Sequence, residues 1–439
     1  MAGQQDAFYL RDIEAVAVRR PIWVERAIEA HGGALICQPG LRVDGEVIDR
    51  LVGQRLTVPI DRCLTIGDPV TLMQILTQSR GWIERVPLLH AMYARLQDPS
   101  VLRDSVLGIP FNPSLAFRLT ILSEQRPRLY DHSLRVMLIA LWLGAMSRLP
   151  RADLRLIAAA GLVHDLGEMH FDPALFNIER VYSDDERRRL TTHTMISQLL
   201  VSDYPGYQPE ISTAVREHHE RLDGSGYPGG AALTKISPFG RILALAEAVD
   251  GLFSSRGFDG VRTAIRLGGS QFDSALVRHL VALLAEVNVE GASHCDVDQL
   301  AEQLKGLFGL FSTWDRAHAT HQRTVEPAAE TSLISRLDGK LNGLILQLHD
   351  AGLGLQSVDA LLADLADAPD ALRELAAVAR EALWQIKNVL RSLKLNRSLD
   401  ANTGDEVPEW VRQWIEQAEQ VITIDVATGG RTESGNDGQ

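Results

Sequence analysis

Histidines and carboxylates recur between residues 132 and 250 on segments that are far apart in the chain. Six of the 13 histidines fall between residues 132 and 219. A lone histidine is usually a surface or core residue, whereas clusters of His with Asp or Glu are interpreted as metal or catalytic sites. The set comprises His132, His164, Asp165, His193, His218, His219, Glu247 and Asp250. Taken together, these side chains predict a site for metal ions.

The adjacent pair His164-Asp165 offers a way to hold two ions side by side, and we take these two residues as the catalytic candidates. A carboxylate that bridges two cations holds them about 3.5–4 Å apart. Imidazole and carboxylate donors suit iron, manganese or zinc, and the lack of a cysteine nearby in sequence disfavours a thiolate zinc site. Two such ions activate water and stabilise an in-line displacement at phosphorus, so the residues predict hydrolysis of a phosphomonoester or phosphodiester.

The elements that must position these residues are predicted to be helices. Apolar spacing, Pro127 in a first turn and Gly167 as a stop signal define their ends. Helices are predicted over residues 128–147, 153–165 and 209–219. A further helix is predicted to start at Ser183 and carry His193, and another to start at Ser237 and run through Glu247 and Asp250. Residues 223–230 contain four glycines and a proline, so they predict a loop.

The order of these residues resembles the HD-GYP family, a branch of the HD-domain metal-dependent phosphohydrolases. The resemblance covers roughly residues 120–285 and rests on the His-Asp pair, a later histidine and the motif HHERLDGSGYP at residues 218–228. This motif is far more specific than the His-Asp pair alone, and Phe272-Asp273 also fits the family's closing segment. The resemblance implies an all-helical domain that hydrolyses cyclic di-GMP to pGpG or onward to GMP.

The resemblance also implies roles for individual residues. It places metal ligands at His132, His164, Asp165, His193, His218 and His219, with Glu247 as a further carboxylate ligand. It places the loop beside the substrate at Gly226, Tyr227 and Pro228, and Arg256 keeps the expected phosphate-binding charge. It implies two divalent transition metals, with iron or manganese expected before zinc or nickel.

The sequence departs from the family's pattern at several positions. Glu168 stands where the family has lysine, Arg128 where it has glutamate and Glu247 where it has aspartate, and Arg256-Gly257-Phe258 replaces R-P-Y. Two like charges about 4 Å apart repel by about 4 kcal/mol at an effective dielectric of about 20, so an ionised Glu168 would weaken substrate binding. We expect Arg128 to pair with Glu168 where some relatives hold a third metal; otherwise Glu168 ligates metal and Arg128 points to solvent. Asp250, one turn beyond Glu247, is expected to support the ligands.

The rest of the chain has less specific signals. The predicted fold class is mainly α: an HD-type helical bundle with a small α+β N-terminal domain and a C-terminal helical block. The predicted domains are a small α+β domain with a regulatory role (1–115), the HD-GYP domain (116–290), a helical regulatory or dimerisation block (297–421) and a disordered tail (427–439). Strands are predicted at residues 34–37 and 56–60, and the apolar face of a helix at Leu333, Leu337, Leu341, Leu344 and Leu348.

Composition limits the classes of partner. A net charge of −13 gives no long-range attraction to nucleic acid or to an anionic membrane. No stretch is long and apolar enough to span a bilayer, and the N-terminus does not resemble a signal peptide. Three widely spaced cysteines fit a reducing compartment, so a cytoplasmic location is predicted. The expected partners are cyclic di-GMP or a related phosphoester, a second copy of the chain and signalling proteins.

Two alternatives to a cyclic di-GMP phosphodiesterase stay open on the sequence. One is a degenerate HD-GYP protein that binds metal or nucleotide and signals through protein contacts. The changes at Glu168 and Arg256-Gly257-Phe258 favour it, whereas the intact set of histidines opposes it. The other is an HD hydrolase of another phosphoester. Metal content and turnover of a small panel of cyclic dinucleotides separate the three.

Overall fold

The computed structural model of the protein is mainly helical, which confirms the predicted fold class. It describes residues 2–176, 184–230, 235–268, 271–287, 296–324, 332–350, 357–400 and 408–429. The chain divides into two compact units. The first unit consists of Met1–Ser254 with Ser270–Val287, and the second of Ser255–Gly269 with Asn288–Gln439.

Four short strands near the N-terminus form two antiparallel pairs. Strand β1 (Ile22–Val24) pairs with β4 (Leu64–Ile66), and β2 (Ile28–Glu29) pairs with β3 (Leu35–Cys37). The strand predicted at residues 34–37 is therefore present.

The strand predicted at residues 56–60 is wrong. Leu56 makes a single bridge to Ala30, and Ile60–Arg62 is a short 3-10 turn. Pro59, which precedes that turn, has no N–H group to donate to a sheet. This segment lies in the same compact unit as residues 116–254 of the predicted HD-GYP domain, and its existence as a separate domain stays a prediction.

Helices make up the rest of the first unit. They are α1 (Ala2–Ala17), α2 (Gly45–Leu51), α3 (Leu72–Arg85), α4 (Pro87–Ala94), α5 (Ser100–Leu107), α6 (Pro113–Gln125), α7 (Pro127–Met146), α8 (Arg151–Val163), α9 (Asp184–Thr191), α10 (His193–Ser202), α11 (Pro209–Glu217) and α13 (Ser274–Glu286). Helix α12 (Pro238–Gly268) begins in the first unit and ends in the second. Two 3-10 turns, Leu166–His170 and Pro173–Phe176, follow α8.

Local sequence explains where several of these helices begin. Thr71 and Asn112 cap α3 and α6 with side-chain oxygens that accept from the backbone N–H three residues on. Proline occupies the first position of α6, α7 and α11, where a missing N–H costs nothing. The prediction for α7 is correct to within a residue or two, since Pro127 is its first residue.

Helix α7 forms the centre of the core of the first unit. It is buried on all sides from Val136 to Gly144, as expected for a helix that is apolar all round. Helix α8 approaches it closely, because an added Cβ at Gly161 would lie 2.6 Å from Cα of Met137. This packing fixes α8, whose end carries His164, against the helix that carries His132.

The second unit is a helical bundle with its own core. Its remaining helices are α14 (Val297–Thr324), α15 (Ser332–Asp350), α16 (Val358–Asp364), α17 (Pro369–Asp400) and α18 (Glu409–Gly429). Trp314 and Trp414 are fully buried there, and of the predicted apolar face Leu337, Leu341, Leu344 and Leu348 are buried. The side chain of Leu333 lies outside the described residues. A regulatory or dimerisation role for this unit stays a prediction.

The last helix extends further than expected. Residues 427–429, predicted to begin a disordered tail, are the end of α18, and residues 430–439 of that tail lie outside the described residues. Within the described ranges, no helix combines the length and the apolar character that crossing a membrane requires.

Candidate metal centre

Three histidines of the first unit are held in one orientation by backbone carbonyl groups. In each case Nδ1 faces the carbonyl oxygen of the residue three positions earlier, at 2.9 Å for His164, 2.6 Å for His193 and 2.6 Å for His218. Because a carbonyl oxygen can only accept, each Nδ1 carries a proton. Each Nε2 is therefore the atom left to bind a cation.

His132 is oriented by a carboxylate instead. Its Nδ1 lies 2.8 Å from Oδ2 of Asp250. Arg135 binds the same carboxylate through Nε at 2.7 Å and Nη2 at 2.9 Å. Burial alone would raise the pKa of Asp250, but its hydrogen bonds with His132 and Arg135 lower that pKa. The carboxylate therefore stays ionised and holds the imidazole with Nε2 towards the other ligands.

The carboxylate of Asp165 lies between the four histidine rings. Its Oδ1 is 3.4 Å from Nε2 of His193 and 3.3 Å from Nε2 of His218. Its Oδ2 is 3.1 Å from Nε2 of His164 and 3.5 Å from Nε2 of His132. Donor atoms about 2.0–2.2 Å from one cation lie about 3 Å from each other. The two oxygens of Asp165 therefore face different pairs of histidine nitrogens, and each could bind a different cation.

Glu247, on α12, faces the same centre from the side of His132. Its Oε2 is 3.0 Å from Nε2 of His132 and 3.2 Å from Nε2 of His164. This oxygen and Oδ1 of Asp165 are buried and have no hydrogen-bond partner within the part of the chain that the structure describes. A buried, unpartnered carboxylate oxygen is unfavourable, and a bound cation relieves that cost. The donors thus fit divalent metal ions.

The donors form two groups that share one carboxylate. One group contains Asp165, His193, His218 and His219, and the other His132, His164, Asp165 and Glu247. Within each group, one donor atom per residue lies within 4.8 Å of the others. Imidazole with carboxylate is a donor set for divalent metals. The structure therefore brings all the sequence-predicted ligands to one place.

The charge balance of the centre favours bound cations. Burial lowers the pKa of His164, but Asp165 and Glu247 outweigh it and raise that pKa to about 10. Burial also opposes protonation of His193, yet Asp165 raises its pKa to about 9. At His218 and His219 burial dominates and lowers the pKa. The carboxylates thus attract positive charge, and the last two rings are neutral donors.

The Gly-Tyr-Pro loop lies against this centre. The rings of Tyr227 and His219 are stacked, with centroids 4.6 Å apart and planes inclined by 26°. The backbone N–H of Tyr227 donates to the carbonyl oxygen of His219 at 3.1 Å. An added Cβ at Gly226 would lie 2.4 Å from that same oxygen, so the loop requires glycine there. Pro228 follows directly, and all three loop residues are partly exposed.

Two neighbouring residues of the motif anchor the loop. Glu220 is buried, and its Oε1 accepts from the backbone N–H of Gly229 at 2.6 Å. The guanidinium of Arg221 lies 4.9 Å from the ring centroid of Phe272 and donates to the carbonyl oxygen of Glu220 at 2.9 Å. Glu220 therefore supports the loop, as a residue at a helix end would.

The predicted pairing of Arg128 with Glu168 is wrong. Arg128 is exposed, and no ion pair joins these two described residues. Arg128 is the second residue of α7 and lies on the solvent side of its first turn. Glu168 lies in the turn Leu166–His170, where burial and the charge of Asp165 raise its pKa to about 8. Arg128 is therefore not a supporting residue of the centre.

Arg256 belongs to α12, but its side chain lies outside the described residues. The next residue, Gly257, interrupts the helix with a φ of +64°, a conformation that glycine adopts readily. A phosphate-binding role for Arg256 stays a prediction.

Two arginines that the sequence analysis missed support the centre. Arg135 binds Asp250, and Arg126 binds the backbone of the turn after Asp165. Arg135 lies three residues after His132 and so on the same helical face, a signal that could have found it. Arg126 belongs to no motif, and no sequence pattern connects it with that turn.

Comparison with a family model identifies the same segment. The family model described as HD domain matches residues 118–266. The chain is 28% identical over 145 residues to "Cyclic di-GMP phosphodiesterase PA4108" of Pseudomonas aeruginosa, which is 33% of this chain and 35% of that protein. It is 32% identical over 100 residues to "3'3'-cGAMP-specific phosphodiesterase 1" of Vibrio cholerae, which is 23% of each. The matches span about a third or less of these relatives.

Among solved structures, the chain is similar to Bd1817, an HDG"Y"P protein from Bdellovibrio bacteriovorus. The TM-score is 0.34 at 15% identity, over 61% of this chain and 94% of that chain. So low a score supports no argument about this protein. The family model and the motif HHERLDGSGYP fall in one segment, and the candidate ligands of that segment share one carboxylate. Residues 118–266 of the chain therefore match an HD domain, and its curated relatives include proteins named cyclic di-GMP phosphodiesterases.

Proposed function

We propose that this protein is a cytoplasmic, metal-dependent phosphodiesterase that hydrolyses cyclic di-GMP to pGpG or GMP in bacterial second-messenger signalling. One observation carries the proposal: the two oxygens of Asp165 face different pairs of histidine nitrogens. This is the arrangement that a two-metal hydrolytic site needs. The substrate is inferred from the name of the relative in Pseudomonas aeruginosa.

The two donor groups would each hold one ion. His132, His164, Asp165 and Glu247 would hold one, and Asp165, His193, His218 and His219 the other. We propose iron or manganese, because the donors are imidazoles and carboxylates without thiolate, with zinc or nickel as alternatives. When bound, two such ions lower the pKa of water and stabilise the attacking and leaving oxygens of a displacement at phosphorus.

The residues of the chain orient the ligands and the substrate. Asp250 and three backbone carbonyl groups fix the imidazoles, so that the ligands need not reorganise when a cation binds. Burial raises the pKa of Tyr227, so its hydroxyl group stays protonated and can donate to a phosphate oxygen. Gly226 and Pro228 hold that side chain beside His219, and Arg256 is proposed as the phosphate-binding cation.

A degenerate HD-GYP protein is the second candidate, and Glu168 is the observation that favours it. A carboxyl group lies near Asp165 where the resemblance implies a lysine. Its raised pKa, about 8, leaves it largely protonated at neutral pH, which relieves the repulsion of substrate. The protonated carboxyl group of Glu168 still supplies no positive charge to a phosphate. A degenerate protein of this kind is expected to bind metal without turning over substrate.

The deciding experiment measures metal content and turnover together. The protein is purified without oxygen, loaded with Mn²⁺ or Fe²⁺, and assayed with cyclic di-GMP, 3'3'-cGAMP and bis(p-nitrophenyl) phosphate. We expect hydrolysis of cyclic di-GMP by the wild type and loss of it in Asp165→Asn. Asp98→Asn is the matched control, since Asp98 is an exposed carboxylate that pairs with Arg151 on the surface.

Three other outcomes would contradict the proposal in different ways. Turnover of 3'3'-cGAMP alone would correct the substrate, which the relative in Vibrio cholerae makes a specific alternative. Turnover of bis(p-nitrophenyl) phosphate alone would indicate a hydrolase of another phosphoester. Two bound metals with no turnover of any compound would indicate the degenerate protein.

A further inference from the structure

One buried arginine, Arg126, binds backbone carbonyl groups of the turn that follows Asp165. Arg126 donates through Nη1 and Nη2 to the carbonyl oxygens of Glu168, Phe171 and Met169, at 3.1, 3.0 and 3.2 Å. Its Nε donates to Oδ2 of Asp12, on α1, at 2.8 Å. These bonds use four of the five N–H groups of the guanidinium. The turn is therefore fixed to helix α1.

A second buried arginine links the same helix to the same turn. The guanidinium of Arg118 binds Asp61, with Nε 2.8 Å from Oδ2, and its Nη1 lies 3.1 Å from Nε2 of His170. A guanidinium only donates, so Nε2 of His170 is the acceptor. Tyr9, on α1, donates to Oδ1 of Asp61, and its ring lies 4.2 Å from the guanidinium. All four side chains are buried.

The turn is also tied to the helix that carries another metal ligand. The backbone N–H of Gly167 donates to Oγ of Ser197, on α10, at 2.8 Å. An added Cβ at Gly167 would lie 2.3 Å from the carbonyl oxygen of His193, so the turn and the start of α10 are in close contact. A shift of the turn would therefore displace both Asp165 and His193.

We infer that Arg126 and Asp12 are positioning residues for metal binding. Arg126 holds the backbone of the turn, the turn sets the position of Asp165, and Asp12 holds Arg126. Helix α1 is thereby part of the metal site, although Asp12 is 114 residues from Arg126 in sequence. This inference rests on the metal centre of the proposed function and not on its substrate.

The test compares Arg126 with an arginine of the same unit that makes similar contacts elsewhere. Arg20 binds one carboxylate, Glu124, at 2.5 Å, and donates to the carbonyl oxygens of Gly67 and Asp68. None of these partners belongs to the turn after Asp165. Mn²⁺ affinity is measured by equilibrium dialysis, at a temperature where circular dichroism shows each variant folded. We expect Arg126→Gln to weaken Mn²⁺ binding by about 10–100-fold, and Arg20→Gln to leave it unchanged.

A double variant separates positioning from a general effect on stability. Arg126→Gln alone leaves the Asp12 carboxylate without its partner, which is destabilising. Asp12→Asn combined with Arg126→Gln removes both charges, so we expect Tm to recover the part of the loss that the unpaired carboxylate causes. The carbonyl groups of the turn still lack the guanidinium, so we expect Mn²⁺ affinity to stay low.

Two results would overturn the inference. The first is recovery of Mn²⁺ affinity together with Tm in the double variant. The second is an equal loss of affinity in Arg20→Gln and Arg126→Gln. Turnover is not part of this readout, so an inactive wild type that binds Mn²⁺ would contradict only the proposed activity. A wild type that binds no Mn²⁺ would remove the metal centre and this inference with it.

Discussion

At the scale of single residues, we propose that one carboxylate determines how many metals the centre can hold. Asp165 belongs to both donor groups, whereas His193 belongs to one. We therefore expect Asp165→Ala to lose both ions and His193→Ala to lose one. Elemental analysis of the purified variants measures this directly, with the exposed-site variant Asp98→Asn as control. Unchanged metal in Asp165→Ala would contradict the assignment of the bridging ligand.

Asp250 should affect the same centre less strongly, because it acts through His132. Its carboxylate binds Nδ1 of His132 and two nitrogens of Arg135. In Asp250→Asn the amide can accept from one of these partners but cannot replace the carboxylate for both. Residues that support metal ligands typically alter metal affinity by about 10–100-fold. A titration with Mn²⁺ should show a loss in that range, and a loss as complete as in Asp165→Ala would make Asp250 a ligand.

Substitutions of Glu168 test whether the charge at this position affects the hydrolysis of substrate. Glu168→Lys introduces the residue that the family resemblance implies, and Glu168→Gln removes the carboxyl group without adding charge. A favourable charge interaction of about 1–2 kcal/mol corresponds to about 5–30-fold in kcat/KM. We expect that gain for cyclic di-GMP in Glu168→Lys and little change in Glu168→Gln, because the carboxyl group of Glu168 is already largely protonated at neutral pH. Equal values for both variants and the wild type would show that this position does not contact substrate phosphate.

At the scale of elements, the loop after α11 depends on one glycine. An added Cβ at Gly226 would overlap backbone atoms of Glu220 and Arg221, at 2.5 and 2.4 Å, so Gly226→Ala must move the loop. A misplacement of about 1 Å near reacting groups can cost about 100-fold in rate. We expect kcat/KM for cyclic di-GMP to fall by about that factor while metal content stays unchanged.

The matched control for the loop is Gly81→Ala. Gly81 lies in α3, and an added Cβ there would make only ordinary contacts, at 3.7 Å or more, with the side chain of Arg85. Wild-type kinetics are expected for this variant. If Gly226→Ala also keeps wild-type kinetics, Tyr227 and its loop do not position the substrate.

The sequence predicted the elements of the metal centre well because their signals are local. Pro127 marks the start of α7, and the spacing of the His-Asp pair and the motif HHERLDGSGYP specifies the ligands. Contacts that depend on tertiary packing were not predictable. The bond between Arg126 and Asp12 joins residues 114 positions apart and leaves no periodic pattern. The prediction of an ion pair between Arg128 and Glu168 was wrong. The face of a helix predicts the direction of a side chain but not which residues lie opposite it.

The roles of Glu247 and Asp250 also depend on tertiary packing. Both were known to share a helical face from their spacing of three residues. Their different roles depend on distances to His132, where Glu247 meets Nε2 at 3.0 Å and Asp250 meets Nδ1 at 2.8 Å. Only the packing of α12 in the first unit determines which carboxylate reaches which nitrogen.

At the scale of the whole molecule, the chain contains two separate cores. The core of the first unit surrounds α7, which is buried on all sides from Val136 to Gly144. The core of the second unit contains Trp314 and Trp414, and Leu383 is an almost fully buried member of the same core. Every donor of the metal centre lies in the first unit.

We therefore expect two thermal transitions, of which bound metal shifts only one. A ligand that binds the folded state alone stabilises it by about 2.7 kcal/mol at about 100 times its Kd, and that stabilisation belongs to the unit that binds it. Calorimetry with Mn²⁺ and then with a chelator should move the transition of the first unit only. Leu383→Ala, which removes buried volume at a cost of about 2–5 kcal/mol, should lower the other transition only. If metal removal and Leu383→Ala both shift one shared transition, the two units unfold together and this prediction is wrong.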